Sequence, residues 1–192
     1  MDAIDALISR RSPASLRAPA PDEAALRRLF EAAIRAPDHG RLRPWRFFVL
    51  RDGALERFGE VLADSLKRRQ PGALAAELDR ERRKPLRAPL MLIVAATPRE
   101  HPKIPVLEQI LAAGAAAQNI LLGAHAMGFA GMWKTGAPAY DGGVKAALGL
   151  QREDVIVGFL YLGTADAQPP MPEQADPASF VTEWTGPVTA LA

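Results

Sequence analysis

Leu90-Met91-Leu92-Ile93-Val94-Ala95 and Val155-Ile156-Val157-Gly158-Phe159-Leu160-Tyr161-Leu162 decide the fold of this chain. Both are unbroken apolar runs of strand length. A strand with no polar side must be covered on both faces. A sheet covered twice needs helices above and below it, which makes an α/β sandwich with a central sheet flanked by helices.

Working outward, the helices that could cover such a sheet are legible. Asp2 can cap a first helix whose apolar face is Ile4, Leu7 and Ile8, ending near Arg10-Arg11-Ser12-Pro13. The stretch from Pro13 to Pro21 reads as an extended connector. Asp22 caps a second helix, with Leu26, Leu29, Phe30, Ala33 and Ile34 on one side, and Pro37 stops it. A strand at Phe47-Phe48-Val49-Leu50 meets a turn at Asp52-Gly53. A third helix carries Leu55, Phe58, Val61, Leu62 and Leu66, and 73–84 reads as a charged surface helix. The helix from about Val106 to Met127 is apolar nearly all round and belongs at the centre of the molecule or in a subunit interface. Gly128 to Trp133 is a short glycine-bearing strand, and Asp141 to Leu148 a short helix. Helices and strands do not alternate regularly, so the class is α+β, not a doubly wound sheet. The 192 residues form one domain, 1–192, with 164–192 as an extended arm, because its Pro, Ala, Gln and Asp composition cannot build a core alone.

Composition excludes several classes. A net charge of +2 argues against a dedicated nucleic-acid binder. With no cysteine there are no disulfides, thiolate metal sites or thiol nucleophiles. His39, His101 and His125 lack ligand-like spacing, so no metal is expected. No Gly-x-Ser-x-Gly, dinucleotide Gly-x-Gly-x-x-Gly or Walker loop occurs. The 110–127 stretch is broken by Gln118, Asn119 and His125, so a core helix is expected rather than a membrane span. The acidic N-terminus reads as folded helix, not leader, and the expected compartment is the cytoplasm.

Three constellations could carry chemistry. Arg10-Arg11-Ser12, beyond a helix end, can aim two guanidiniums and a hydroxyl at a phosphate, against the unhelpful C-terminal helix dipole. Alternatively, both arginines complement that dipole and face water. Arg35 and His39 flank the helix stop in Ala36-Pro37-Asp38-His39-Gly40-Arg41-Leu42-Arg43-Pro44-Trp45. This loop combines an aromatic face, a titratable ring and cationic donors, suited to an anionic planar ligand; its plain reading is a surface turn. Gly131-Met132-Trp133-Lys134-Thr135-Gly136 lets backbone approach a ligand closely and offers Lys134 and Thr135 to a phosphate or ring carbonyl, or else is a strand end with a solvated lysine.

In this order, with Val-Gly-Phe-Leu-Tyr-Leu-Gly following, the motifs resemble the nitroreductase family of FMN-dependent oxidoreductases, closest to a short bacterial subgroup with the Arg-Ala-Pro-Asp-His form. The likeness covers Met1 to Thr164 and Phe180-Val181-Thr182. It implies an intertwined homodimer with FMN in the interface. Arg10, Arg11 and Ser12 would hold the phosphate and ribityl chain, Arg35 and His39 the pocket wall, and Trp133, Lys134 and Thr135 the rest of the phosphate side. It also implies that Gly123, Ala124, His125, Ala126, Met127 and Gly128 touch a nicotinamide nucleotide, although the segment reads equally as a helix end. One departure stands out: Asp38, Arg41 and Arg43 occupy positions where the wider family has Ser, Asn and Gln.

The resemblance explains why acids and bases are scarce, since the cofactor does the chemistry and the protein orients it. Cationic groups near the ring should favour its reduced form. A substrate must stack with reacting atoms about 3–3.5 Å apart. Donor and acceptor using one face in turn implies ping-pong kinetics. The expected function is NADH- or NADPH-driven reduction of nitroaromatic, quinone or similar small-molecule electron acceptors. Alternatives are another flavin reaction on this fold, such as dehalogenation or enone reduction, and a flavin storage or sensor module with little turnover. A membrane or nucleic-acid partner is not expected.

Overall fold

A computed structural model of the chain describes residues 2–167, 169–171, 173 and 175–186. Five strands form one sheet: β1 (Leu16–Arg17), β2 (Trp45–Arg51), β3 (Leu90–Ala96), β4 (Ala130–Lys134) and β5 (Val155–Ala165). Helices are α1 (Ala3–Ser9), α2 (Glu23–Ala33), α3 (Gly53–Arg69), α4 (Ala75–Arg82), α5 (Val106–Ala126) and α6 (Gly142–Ala147). Every pairing is antiparallel. β3 lies between β2 and β5, while β4 and β1 share the far side of β5.

The double burial expected of the two apolar runs is present. All seven residues of β3 are buried. Successive side chains on a strand point to opposite faces, and this strand feeds two cores. Met91, Ile93 and Ala95 pack with Phe58 and Leu62 of α3 and with Phe159 and Tyr161 of β5. Leu90, Leu92 and Val94 pack with Leu26 and Leu29 of α2, with Ala116 and Ile120 of α5, and with Leu160 and Leu162. Doubly covered strands are usual in parallel sheets. Here the chain reaches the same burial antiparallel, by placing α2 and α5 on one face and α3 on the other.

Both expected caps form: Asp2 accepts from the Ile4 N–H at 2.9 Å and Asp22 from the Ala25 N–H at 2.8 Å. The small residues of α5 let it press onto the sheet. A Cβ at Gly131 would stand 2.8 Å from side-chain carbons of both Leu121 and Leu162. Two details differ from the sequence reading. The connector 13–21 contains β1, whose two residues pair with Thr164 and Ala165 and lengthen β5 beyond Leu162. The apolar face of α1 is left largely open among the described residues: Ile4, Leu7 and Ile8 are more than half exposed, and within the helix only Ala6 is buried. Hydrophobic side chains at helical spacing predict a buried face, but not which molecule buries it. The same holds for Leu107 and Leu111 on the first turns of α5.

Candidate functional site

The end of α1 meets the end of α5. Ser9 Oγ donates to the Asp5 carbonyl at 2.5 Å and lies 2.8 Å from His125 Nε2. A hydroxyl has one proton, so His125 Nε2–H donates to Ser9 and Nδ1 is left as the acceptor of the neutral ring. Burial, and then the charges of Arg10 and Arg11, hold the His125 pKa below the usual imidazole range. Arg10 donates to Ser12 Oγ at 3.1 Å, so guanidinium and hydroxyl point the same way, as the extended backbone beyond the helix suggests. Arg11 is turned to the start of the arm, donating to the Pro169 carbonyl at 2.7 Å and contacting Met171 Sδ at 3.0 Å.

Residues 123–128 are the end of α5. Phe129 N–H reaches the Ala124 carbonyl at 2.9 Å and Gly128 N–H the His125 carbonyl at 3.0 Å, with Gly128 at φ +86°. This pair of hydrogen bonds with a left-handed glycine closes the helix. The N–H groups of Met127, Gly128 and Phe129 are all spent inside the cap. For a nucleotide, the segment therefore offers mainly the His125 side chain.

The 35–45 loop is braced from within. Asp38 accepts from Leu42 N–H at 3.2 Å and Arg43 N–H at 2.7 Å, while Arg41 and Arg43 hold left-handed backbone at φ 54° and 50°. The Pro44 carbonyl accepts from the Thr97 N–H at 2.6 Å. Ile34, Arg35, Ala36, Asp38, Arg41, Arg43 and Trp45 line a cavity of about 700 Å³. His39 turns away and pairs with Glu108 at 2.7 Å on the first turn of α5.

At the exit of β4, Trp133 faces inward. Its indole N–H donates to the Val157 carbonyl at 3.2 Å. Gly158 makes the room, since a Cβ there would stand 2.0 Å from Trp133 Nε1. The β3–β5 register shifts beside Val157, so the indole satisfies backbone that a bulge has taken out of the ladder. Lys134 and Thr135 open instead onto a second cavity, of about 170 Å³, with Lys84, Arg87 and Tyr161. Lys84 is held by Glu81 at 2.5 Å, and burial pushes the Tyr161 hydroxyl up to about 12, keeping it protonated.

A model described as the nitroreductase family matches residues 7–164. The chain belongs to the nitroreductase family. Over 188 residues it is 40% identical to the Escherichia coli K12 protein named "Putative NAD(P)H nitroreductase YdjA", covering 95% of this chain and 99% of that one. Its fold matches a nitroreductase-like family protein from Bacillus cereus at a TM-score of 0.82, 22% identity and 97% coverage of each chain. It also matches the FMN and NADPH-dependent nitroreductase NfnB of Sphigopyxis sp. strain HMH at a TM-score of 0.75, with 22% identity, covering 97% of this chain and 100% of that one.

This nitroreductase-family chain thus brings Arg10, Arg11, Ser12 and His125 to one corner, Arg35 to a cavity at the 35–45 loop, and Lys134 and Thr135 to a third place. Among the described residues, no side-chain hydrogen bond joins one group to another. Two expectations change in detail. Trp133 has no indole donor left for a ligand, and Arg11 is committed to the arm. Sequence reasoning missed Ser9, Lys84 and Arg87. Ser9 was recoverable, because it stands beside the Arg-Arg-Ser run. Lys84 and Arg87 come from a turn after α4, and no spacing links them to Lys134.

Proposed function

We propose that this chain is an FMN-dependent oxidoreductase that passes electrons from NADH or NADPH to nitroaromatic, quinone or similar small acceptors, as a homodimer in the cytoplasm. The observation that carries this reading, within the family, is the cationic corner at α1. Arg10 and Ser12 aim donors together, His125 beside them favours its neutral form, and no carboxylate among the described residues forms an ion pair with Arg10 or Arg11. The Arg10 guanidinium, with no carboxylate partner among the described residues and a hydroxyl beside it, fits a phosphate dianion, and the Arg11 charge nearby adds to the positive field. When bound, FMN supplies the electron-carrying chemistry that no side chain here provides.

The chain's own residues then have separate tasks. Arg10 and Ser12 hold the phosphate. Lys134 and Thr135, at the mouth of a small cavity with Tyr161, present cationic and hydroxyl donors to the polar edge of the ring. Arg35 and the loop around it wall the pocket, and His39, fixed by Glu108, sets the loop's approach to α5. A homodimer is supported by apolar residues that this chain leaves exposed on α1, on the first turns of α5, and at Phe180, Val181 and Trp184. Exposed apolar side chains on several elements are what a partner surface would cover, and the 164–192 arm would embrace that partner.

The test is the visible spectrum of the purified protein, repeated without oxygen after adding NADPH and then NADH. A bound flavin band that bleaches supports the reading, and parallel double-reciprocal lines would support ping-pong turnover. A flavin band that neither donor bleaches would point to a storage or sensing module. Protein that gains no flavin band after incubation with FMN and removal of the excess would overturn the proposal.

A further inference from the structure

Three arginines share one cavity. Arg35, Arg41 and Arg43 line the 700 Å³ space beside Trp45. Among the described residues, none of their guanidiniums makes a hydrogen bond or ion pair with another side chain, whereas Arg51, Arg68 and Arg82 each do. The one carboxylate in the lining, Asp38, spends both oxygens on backbone N–H groups of the loop. The cavity therefore keeps a strongly positive wall.

The backbone there is also unusual. Arg41 and Arg43 are two of the three non-glycine residues with left-handed φ among the described residues. That conformation costs free energy in a long side chain and persists only where the surroundings impose it. Asp38 imposes it from within, and the Pro44–Thr97 bond anchors the exit. Gly40 lies against Ile104, so closely that a Cβ would stand 2.4 Å from its Cδ1. The loop is thus braced in a strained shape that sends two guanidiniums to the same side as Arg35. Strain of this kind collects at binding sites, where the shape has been fixed before the ligand arrives.

We propose that this cavity recognises the acceptor, and that it selects planar aromatic acceptors bearing an anionic group such as a carboxylate. The proposal rests on the reductase reading above. A guanidinium pairs with a carboxylate through two parallel N–H donors. The half-buried indole of Trp45 gives the ring a flat apolar face. The volume suits a small molecule.

The test uses FMN-loaded protein with 4-nitrobenzoate and its neutral analogue 4-nitrobenzamide. The variant is R41G with R43G, which deletes both charges while allowing the left-handed backbone. The wild type should prefer the benzoate in kcat/KM by roughly tenfold or more, as for a charge-assisted hydrogen bond, and the variant should lose most of that preference. Raising salt should shrink it as well. Equal use of both acceptors by the wild type, or a preference that survives in the variant, overturns the proposal. So does a variant whose only change is in NADPH against NADH, because the cavity would then read the donor's phosphate. Calorimetry with benzoate separates this inference from the reading beneath it. Arginine-dependent benzoate binding by protein that reduces neither acceptor would uphold the anion site and sink the reductase reading. Reduction of both acceptors without benzoate binding would do the reverse. Binding that FMN abolishes would make the cavity part of the flavin seat and end the proposal.

Discussion

Arg10 and His125 decide most at the scale of single residues. Arg10→Ala removes one partner of a charge-assisted contact to the proposed phosphate, and should weaken FMN binding by roughly tenfold or more with the fold intact. Flavin fluorescence titration beside circular dichroism reads both, and unchanged affinity would remove Arg10 from the phosphate site. His125 carries a pH prediction. Burial and the adjacent guanidiniums lower its pKa in the folded chain. As pH falls below the unfolded value of about 6.5, the unfolded chain therefore takes up the proton first. Stability from this residue is complete above that pH, is lost as pH falls toward the lower folded value, and levels off below it. His125→Gln should flatten that part of the melting-temperature profile. A variant profile parallel to the wild type would show that His125 does not drive it. Arg10 and Ser12 were legible because they are neighbours in sequence and their backbone is extended. Ser9 and His125 stand 116 positions apart and meet only because α1 packs on α5.

The β4–β5 pair is informative at the scale of elements. The sequence marks both strands, yet nothing in it announces that Trp133 faces Gly158. The indole fits there because the residue below lacks a Cβ, and its N–H meets a carbonyl displaced by a bulge. Gly158→Ala should overpack this site and cost about 1–3 kcal/mol, displacing Trp133 or the start of the 134–136 segment. Chemical denaturation measures the loss, and tryptophan fluorescence would report the displacement. An unaffected midpoint would mean the indole has room to spare. The 123–128 segment makes the converse point. A helix ending in Met-Gly is a cap by local rules alone, and the double hydrogen bond at Gly128 matches those rules.

The exposed apolar surface sets the prediction at the scale of the whole molecule. Leu107 and Leu111 are 64% and 62% exposed on a helix whose other face is core. If these residues form the proposed dimer interface, replacing both with glutamate should leave the chain folded but monomeric in sedimentation, with loss of bound flavin. A dimer that withstands both changes would place the interface elsewhere. The length and apolarity of α5 alone would also suit a membrane span. Its packing on α2 and the sheet gives the buried side a different explanation.

The sequence by itself determined the α+β class, both doubly buried strands, the two aspartate caps and the family, because each depends on side-chain type at short or periodic spacing. Only the tertiary structure decided which side of Trp133 is used, which arginines remain unpaired, and which apolar faces this chain leaves uncovered. Those outcomes depend on contacts between segments far apart in the chain, and a one-dimensional pattern does not encode how such segments meet.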